Sequence, residues 1–267
     1  MELLKKTRNR SRRAALKQSL NVMNAVVLRD IRTRFFDHGL GFLIVPLWPL
    51  AHLLILLLIY QLAGRQTPYG TSLNVFFATG LIPTLLFMYV SRFMALSVLL
   101  NKPMLSFPAV HVFDILAARA FLETIAAALT LFMTILLLWL YGDNPWPFDL
   151  EQAVLAYLST LALAIGVGAF VGVLTMFFPI IATAYALLMI CVYISSGTLF
   201  VASNLPSSIS TPLAWNPIFH CVEWMRTAYF ETYSDRLLDR YYPVSFGVFA
   251  LFIALVLERV FRRVMIE

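Results

Sequence analysis

Charged residues are scarce in this chain, and their scarcity defines its class. Only 13% of the 267 residues are charged, whereas 61% are hydrophobic and the mean hydropathy is +0.82. A soluble domain holds roughly 45–50% apolar residues. The composition therefore excludes an ordinary soluble protein and indicates an integral membrane protein.

Residue patterns for metal, redox or hydrolytic chemistry are also missing. The chain has two cysteines, Cys191 and Cys221, without a paired spacing, and its four histidines lack metal-ligand spacing. The Gly-x-Ser-x-Gly and His-Glu-x-x-His motifs of hydrolases are absent. We therefore expect no catalytic residue, no metal site and no cofactor bound by this chain.

A phosphate-binding loop of the form Gly-x-x-x-x-Gly-Lys-Ser/Thr is absent as well. If ATP drives this protein, a separate ATPase subunit must bind the ATP and its magnesium. The first twenty residues are basic but lack the apolar run of a signal peptide, so we expect this end to be retained in the cytosol.

Ionisable residues are nearly absent from the apolar runs, although ion-coupled transporters keep them there for function. Apart from Glu258 and Arg259 near the end of the last run, the exceptions are Arg92, Arg119 and Glu123. Because Arg119 and Glu123 are four residues apart on one predicted helix, we expect an ion pair between them. We place all three residues at the cytosolic entrance of a pore.

Six long apolar runs predict six transmembrane helices, each needing about 20 residues to cross the bilayer. They follow an 18-residue basic tail and form one transmembrane domain over 19–267. Pro179 should break the chain between the fourth and fifth spans and produce a tight hairpin. The predicted spans are 41–63, 74–100, 115–141, 152–178, 180–201 and 243–261.

The basic residues predict the orientation of these spans, since Lys and Arg are retained on the cytosolic side of a membrane. Sixteen of the twenty Lys and Arg residues lie in the two terminal regions and around the connection between the second and third spans. Both termini should therefore be cytosolic.

Two cytosolic segments contain apolar side chains that must be shielded from water. Residues 19–38 should form an amphipathic helix, which is either a plain membrane anchor or a docking element for a partner. In "NKPMLSFPAVHVFD", Met104, Leu105 and Phe107 lie between prolines where water would meet them. Either neighbouring helix ends or a partner protein must cover these three side chains.

The outer region 202–242 contains "WNPIFHCVEWMR", which is too polar to cross a bilayer. As a helix it places Trp215 and Phe219 on an apolar side and His220 and Glu223 on a polar side. Prolines break the region into short pieces. We expect a re-entrant pair of broken helices whose polar edge lines a cavity, with a helix lying at the outer surface as the alternative.

Several quoted motifs together resemble the permease subunits of ABC exporters for capsular polysaccharide, which are related to O-antigen and teichoic acid permeases. They are "RDIRTRFFDHGLGF", "PLAH", "FFATGLIP", "NKPMLSFPAVHVFDILAARAFLE" and "YISSGTLF" followed by "WNPIFHCVEWMR". The resemblance runs from Arg29 to Tyr233. The sequence departs from the family pattern at Ile44 and Trp48 in the first span.

The resemblance implies a multi-pass protein of the bacterial inner membrane that forms a homodimer and binds two copies of an ABC ATPase. A capsular-type polysaccharide, with or without a lipid anchor, would pass through the dimer. Membrane lipids and a periplasmic adaptor to the outer membrane are further expected partners, and nucleic acid is not.

The resemblance also implies roles for two sets of residues. ATPase docking would involve Arg29, Asp30, Arg32, Arg34, Asn101, Lys102, Met104, Leu105 and Phe107. The substrate pore and outer gate would involve Trp215, Asn216, Phe219, His220, Glu223 and Arg226.

Two alternatives stay open from the residues themselves. One is a permease for another amphiphile, such as a lipid or drug, whose pore would be more uniformly apolar. The other is a membrane-embedded acyl or glycosyl transferase, for which His220 with Glu223 is the only candidate constellation.

Overall fold

The computed structural model describes residues 2–33 and 44–266. These residues form nine α-helices and no strand, which confirms the all-α prediction. Arg34, expected in ATPase docking, lies outside the described residues. The helices are α1 Glu2–Thr33, α2 Leu47–Leu62, α3 Leu73–Leu100, α4 Val112–Leu140, α5 Leu150–Phe177, α6 Ile180–Ser195, α7 Ser207–Leu213, α8 Pro217–Tyr229 and α9 Tyr241–Ile266.

Four of the nine helices, α3, α4, α5 and α9, are long and apolar enough to cross a membrane. Their bounds lie within a few residues of the second, third, fourth and sixth predicted spans. The long unbroken apolar runs explain this agreement, since nothing in them interrupts a helix. The prediction of six spans is thus confirmed for four.

The other two predicted spans are shorter apolar helices. Each has 16 residues and is about 24 Å long, below the roughly 30 Å of a hydrocarbon core. The helix α6 ends at Ser195 rather than 201, because the chain turns at Gly197, whose φ is +80°. The predicted break at Pro179 is confirmed, since α5 ends at Phe177 and α6 begins at Ile180.

The helices α3 and α5 form the centre of the bundle, and α9 packs closely against α5. Glycine allows this approach: a Cβ atom on Gly247 would lie only 2.7 Å from the Cα atom of Leu163. Small residues permit such close helix packing in membrane proteins.

The bundle has two ends with different contents. The end that we call the α8 end contains α7, α8 and the connections α2–α3 and α4–α5. A 2.7 Å hydrogen bond from Asn74, in the first turn of α3, to Asp143 joins α3 to the α4–α5 connection. A 2.8 Å bond from Asp149 N–H to the Ala228 carbonyl attaches α8 there. The opposite end, called the α1 end, contains α1 and the α3–α4 connection.

The helix α1 differs from the prediction in two ways. It begins at Glu2 rather than at residue 19, so residues 2–18 are helical as well. Among the side chains of α1 that the structure describes, Val26 and Asp30 are buried where the helix packs on α4, whereas Leu20 of the predicted apolar stripe is 49% exposed. Asp30 can lie on the buried side because Arg119 of α4 neutralises it.

Candidate functional site

Asn216 begins α8 and fastens it to α6. Its side-chain oxygen accepts a 3.1 Å hydrogen bond from the Ile218 N–H, and Pro217 occupies the first helical turn. Its amide nitrogen donates to the Val192 carbonyl at 3.0 Å and to Ser195 Oγ at 2.9 Å. The predicted break into two short helices is confirmed, since α7 ends at Leu213.

The two faces predicted for "WNPIFHCVEWMR" are not found. Residues 218–226 are all buried, because α8 packs among α3, α5 and α9. Phe219 is fully buried as expected, but so are His220 and Glu223 of the polar side. Trp215, assigned to the apolar side with Phe219, precedes the helix and is 79% exposed. The polar side chains can be buried because main-chain groups and other buried side chains of the same chain bind them.

Arg226 is the clearest example, since its guanidinium donates hydrogen bonds to three main-chain carbonyls. Nη1 donates 2.8 Å hydrogen bonds to the carbonyls of Gly197 and Phe200, and Nη2 donates one of 2.8 Å to that of Thr198. The ring of Phe76 lies beneath the guanidinium at 4.2 Å. Arg226 therefore holds the turn that follows α6 against α3 and α8.

Glu223 supplies the counter-charge for Arg226. Its Oε1 atom lies 3.6 Å from Arg226 Nη1 and accepts a 2.9 Å hydrogen bond from the Tyr233 hydroxyl. Burial raises the pKa of Glu223, and the positive charge of Arg226 opposes that rise. Both charges are therefore held by partners within the same chain.

His220 connects the start of α8 to the segment before α9. Its Nδ1 accepts a 3.0 Å hydrogen bond from the Asp239 N–H, so Nε2 carries the proton and donates to the Ala214 carbonyl at 2.8 Å. Burial lowers the pKa of His220. The imidazole is therefore neutral, and both of its nitrogens are engaged.

The predicted ion pair between Arg119 and Glu123 is confirmed at the α1 end. Asp30 of α1 also approaches Arg119 at 3.5 Å, and the Phe93 ring lies 5.0 Å from its guanidinium. Arg119 and Glu123 are buried, in contrast to their predicted position at a pore entrance, whereas Arg92 is exposed. The pair is buried because α1 covers it.

The α3–α4 connection, which is expected to dock a partner, contains both buried residues that attach it to the bundle and exposed residues. Asn101 is buried and accepts a 2.8 Å hydrogen bond from Arg29 of α1, and Leu105 is buried among the helix ends. Phe107 is 64% exposed beside exposed Lys102. The remaining docking candidates are mixed: Met104 is half-buried, Asp30 is buried and Arg32 is exposed.

A row of aromatic rings on α2, α3 and α6 was missed by the sequence analysis. His52 stacks on Tyr193 with ring centroids 6.5 Å apart, and it meets Tyr89 edge-on at 6.4 Å. Tyr89 continues to Phe93 at 6.2 Å. These four rings, called the aromatic row, are all half-buried. The four-residue spacing of Tyr89 and Phe93 was the only signal in the sequence.

Comparison with known proteins identifies the family. No family model matches the chain. The chain is 32% identical to the polysialic acid transport protein KpsM of Escherichia coli over 237 residues, which cover 89% of this chain and 92% of that protein.

Two other relatives have related descriptions. The capsule polysaccharide export inner-membrane protein BexB of Haemophilus influenzae is 25% identical, over 82% of this chain and 84% of its own. CtrC of Neisseria meningitidis serogroup B, with the same description, is 27% identical over 78% and 79%. The chain belongs to the family of capsule polysaccharide export inner-membrane proteins.

Proposed function

We propose that this chain is the permease subunit of an ABC exporter that moves a capsular-type polysaccharide from the cytosol across the inner membrane. Two copies form the pore, and two copies of a separate ATPase supply the energy. The α1 end lies in the cytosol and the α8 end faces the periplasm. The family relationship over 89% of the chain supports this proposal.

The observation that carries the proposal is the aromatic row. Tyr89, Tyr193 and His52 combine flat apolar faces with polar atoms, which suits sugar rings that have apolar C–H faces and hydroxyl groups. The rings come from the three helices α2, α3 and α6, and each is half-buried in the single chain, so each keeps an exposed side. In a dimer this side would border the path of the polymer.

The helix α8 stabilises the helices along this path but does not line the path itself. Arg226 holds the turn after α6, and Asn216 holds the last turn of α6 itself. Because α6 contributes Tyr193 to the aromatic row, the position of that ring depends on α8. The exposed Trp215 stands at the outer mouth, where a re-entrant α7–α8 pair would meet the polymer or a periplasmic adaptor.

ATPase docking is proposed for the exposed part of the α3–α4 connection. Phe107 and Lys102 can contact a partner directly, while Asn101 and Leu105 fix the connection to the bundle. Arg29 links this connection to α1, so movement of either segment would reach the other. The ATPase would bind ATP and magnesium, since this chain lacks a phosphate-binding loop.

The test of the polymer path uses Tyr89→Leu, which removes the ring and the hydroxyl but keeps an apolar side chain. Export of polysaccharide should fall at least about tenfold if the ring contacts the polymer repeatedly, while the amount of permease in the membrane stays unchanged. The matched control is Phe252→Leu, which removes a 61% exposed ring from α9. Equal export by the two variants would contradict the path.

The alternatives receive less support from the same geometry. A pore for a drug or lipid would be lined by uniformly apolar residues, but the aromatic row includes an imidazole and two phenols. A transferase would need His220 and Glu223 as acid and base. His220 is engaged at both nitrogens, and Glu223 is bound by Tyr233 and Arg226.

A further inference from the structure

Positive charge is concentrated in the first half of α1. Residues 1–18 contain seven Lys and Arg residues and one acidic residue, which is a net charge of +6. The whole chain also has a net charge of +6, so the other residues are balanced at thirteen basic and thirteen acidic side chains. The excess charge of the protein therefore belongs to one short segment.

This segment is a continuation of the helix that packs on α4. The helix α1 runs without a break from Glu2 to Thr33, and Val26 and Asp30 attach its second half to the bundle. Residues 13–18 are all exposed. The first half of α1 therefore extends beyond the contact with α4 as a regular helix. The packing of the second half on α4 sets its direction.

An apolar stripe runs along α1 next to the face that contacts α4. Leu16 is 63% exposed and Leu20 is 49% exposed, and half-buried Met23, Val27 and Ile31 continue the stripe at helical spacing. Such a stripe on a helix beside membrane spans faces the interface between hydrocarbon and headgroups. Because the stripe extends to Leu16, the helix stays at the membrane surface where the basic segment begins.

We propose that residues 5–17, called the basic arm, bind the headgroups of anionic phospholipids. Basic residues are attracted to an anionic leaflet, and clusters of four to eight of them on an amphipathic helix are typical of such binding. The apolar stripe favours lipid over a soluble polyanion, because it positions the arm at headgroup depth. The inference rests on the proposed function only for the assignment of that leaflet to the cytosolic side.

The test places the full-length protein in lipid nanodiscs of phosphatidylcholine, with or without phosphatidylglycerol. Both faces of a disc have the same lipid, so the result does not depend on the orientation or on export. An environment-sensitive fluorophore is attached through Ala14→Cys in a Cys191→Ser background; Cys221 is buried and stays unlabelled. Accessibility of the fluorophore to an aqueous quencher reports whether the arm is bound.

We expect phosphatidylglycerol to reduce quencher accessibility about tenfold and high salt to restore it, because salt screens exposed charges. The arm variant Lys5→Gln/Lys6→Gln/Arg8→Gln/Arg10→Gln should lose this protection and keep the thermal stability of the parent. Arg259→Gln, which removes a charge at the same end of the bundle, should retain it.

Two results would overturn the inference. One is equal quenching in discs with and without phosphatidylglycerol. The other is protection that appears only when a soluble polyanion such as dextran sulfate is added, which would assign the arm to an acidic polymer instead of a lipid.

Discussion

Arg226 and Thr198 are joined by a 2.8 Å hydrogen bond from a guanidinium to a main-chain carbonyl, across 28 residues of sequence. The Thr198 hydroxyl in turn lies 2.8 Å from that of Thr84 on α3. Through these contacts α8 fixes the turn that ends α6. The buried helix α8 thereby sets the position of α6, which carries Tyr193 of the aromatic row.

The first prediction concerns the stability supplied by Arg226. Arg226→Gln should destabilise the protein by about 3–5 kcal/mol, because Glu223 and several carbonyls lose their buried partner. Arg226→Lys should restore little, since an ammonium lacks the planar fork that reaches three carbonyls. Thermal unfolding in detergent measures both variants. Arg236→Gln, at an exposed site, is the control, and an equal effect there would contradict the role of Arg226.

The second prediction concerns accessibility from outside the cell. In a background without Cys191, Trp215→Cys should react with a membrane-impermeant thiol reagent in intact cells, because Trp215 is 79% exposed at the α8 end. Glu223→Cys should not react in any transport state, and Phe107→Cys should react only after the membrane is opened. Labelling of Glu223→Cys from outside would show that α8 lines an open gate after all.

Much of the fold was predictable from the sequence because apolar composition and length define membrane helices. The bounds of α3, α4, α5 and α9, the break at Pro179 and the Arg119–Glu123 pair all follow from local patterns. The family followed from the order of several short motifs and is confirmed by the relatives.

The orientation of α8 could not be predicted in the same way. Amphipathic analysis assigns polar side chains to water, but His220 and Arg226 bind carbonyls of residues 214 and 197–200. Those carbonyls are separated from α8 by turns whose geometry no residue pattern defines. The aromatic row was missed for a related reason, because its rings come from three different helices.

The third prediction concerns the partner surface at the α1 end. Phe107→Asp should abolish co-purification with the ATPase, because a charge replaces a 64% exposed apolar side chain on the proposed docking surface. Phe148→Asp is the matched control, with 65% exposure at the α8 end. Normal ATPase binding by the Phe107 variant would show that this surface does not contact the ATPase.

The fourth prediction concerns pH and His220. Burial lowers the pKa of His220 below its ordinary value of 6.5, so the unfolded chain takes up a proton at a higher pH than the folded one. Stability should be full above pH 6.5 and fall as the pH drops below that value. In His220→Gln this fall should be smaller, as measured by thermal unfolding across the range. An identical pH profile in the variant would show that His220 is not neutral in the fold.

The most direct measurement of the central claim is the location of the capsular polymer in the source organism after this gene is deleted. Loss of a permease should leave polysaccharide synthesis intact, so the polymer should disappear from the cell surface and accumulate inside the cell. Restoring the intact chain should return it to the surface. Unchanged surface polymer, or no polymer in either location as expected for loss of a transferase, would contradict the account.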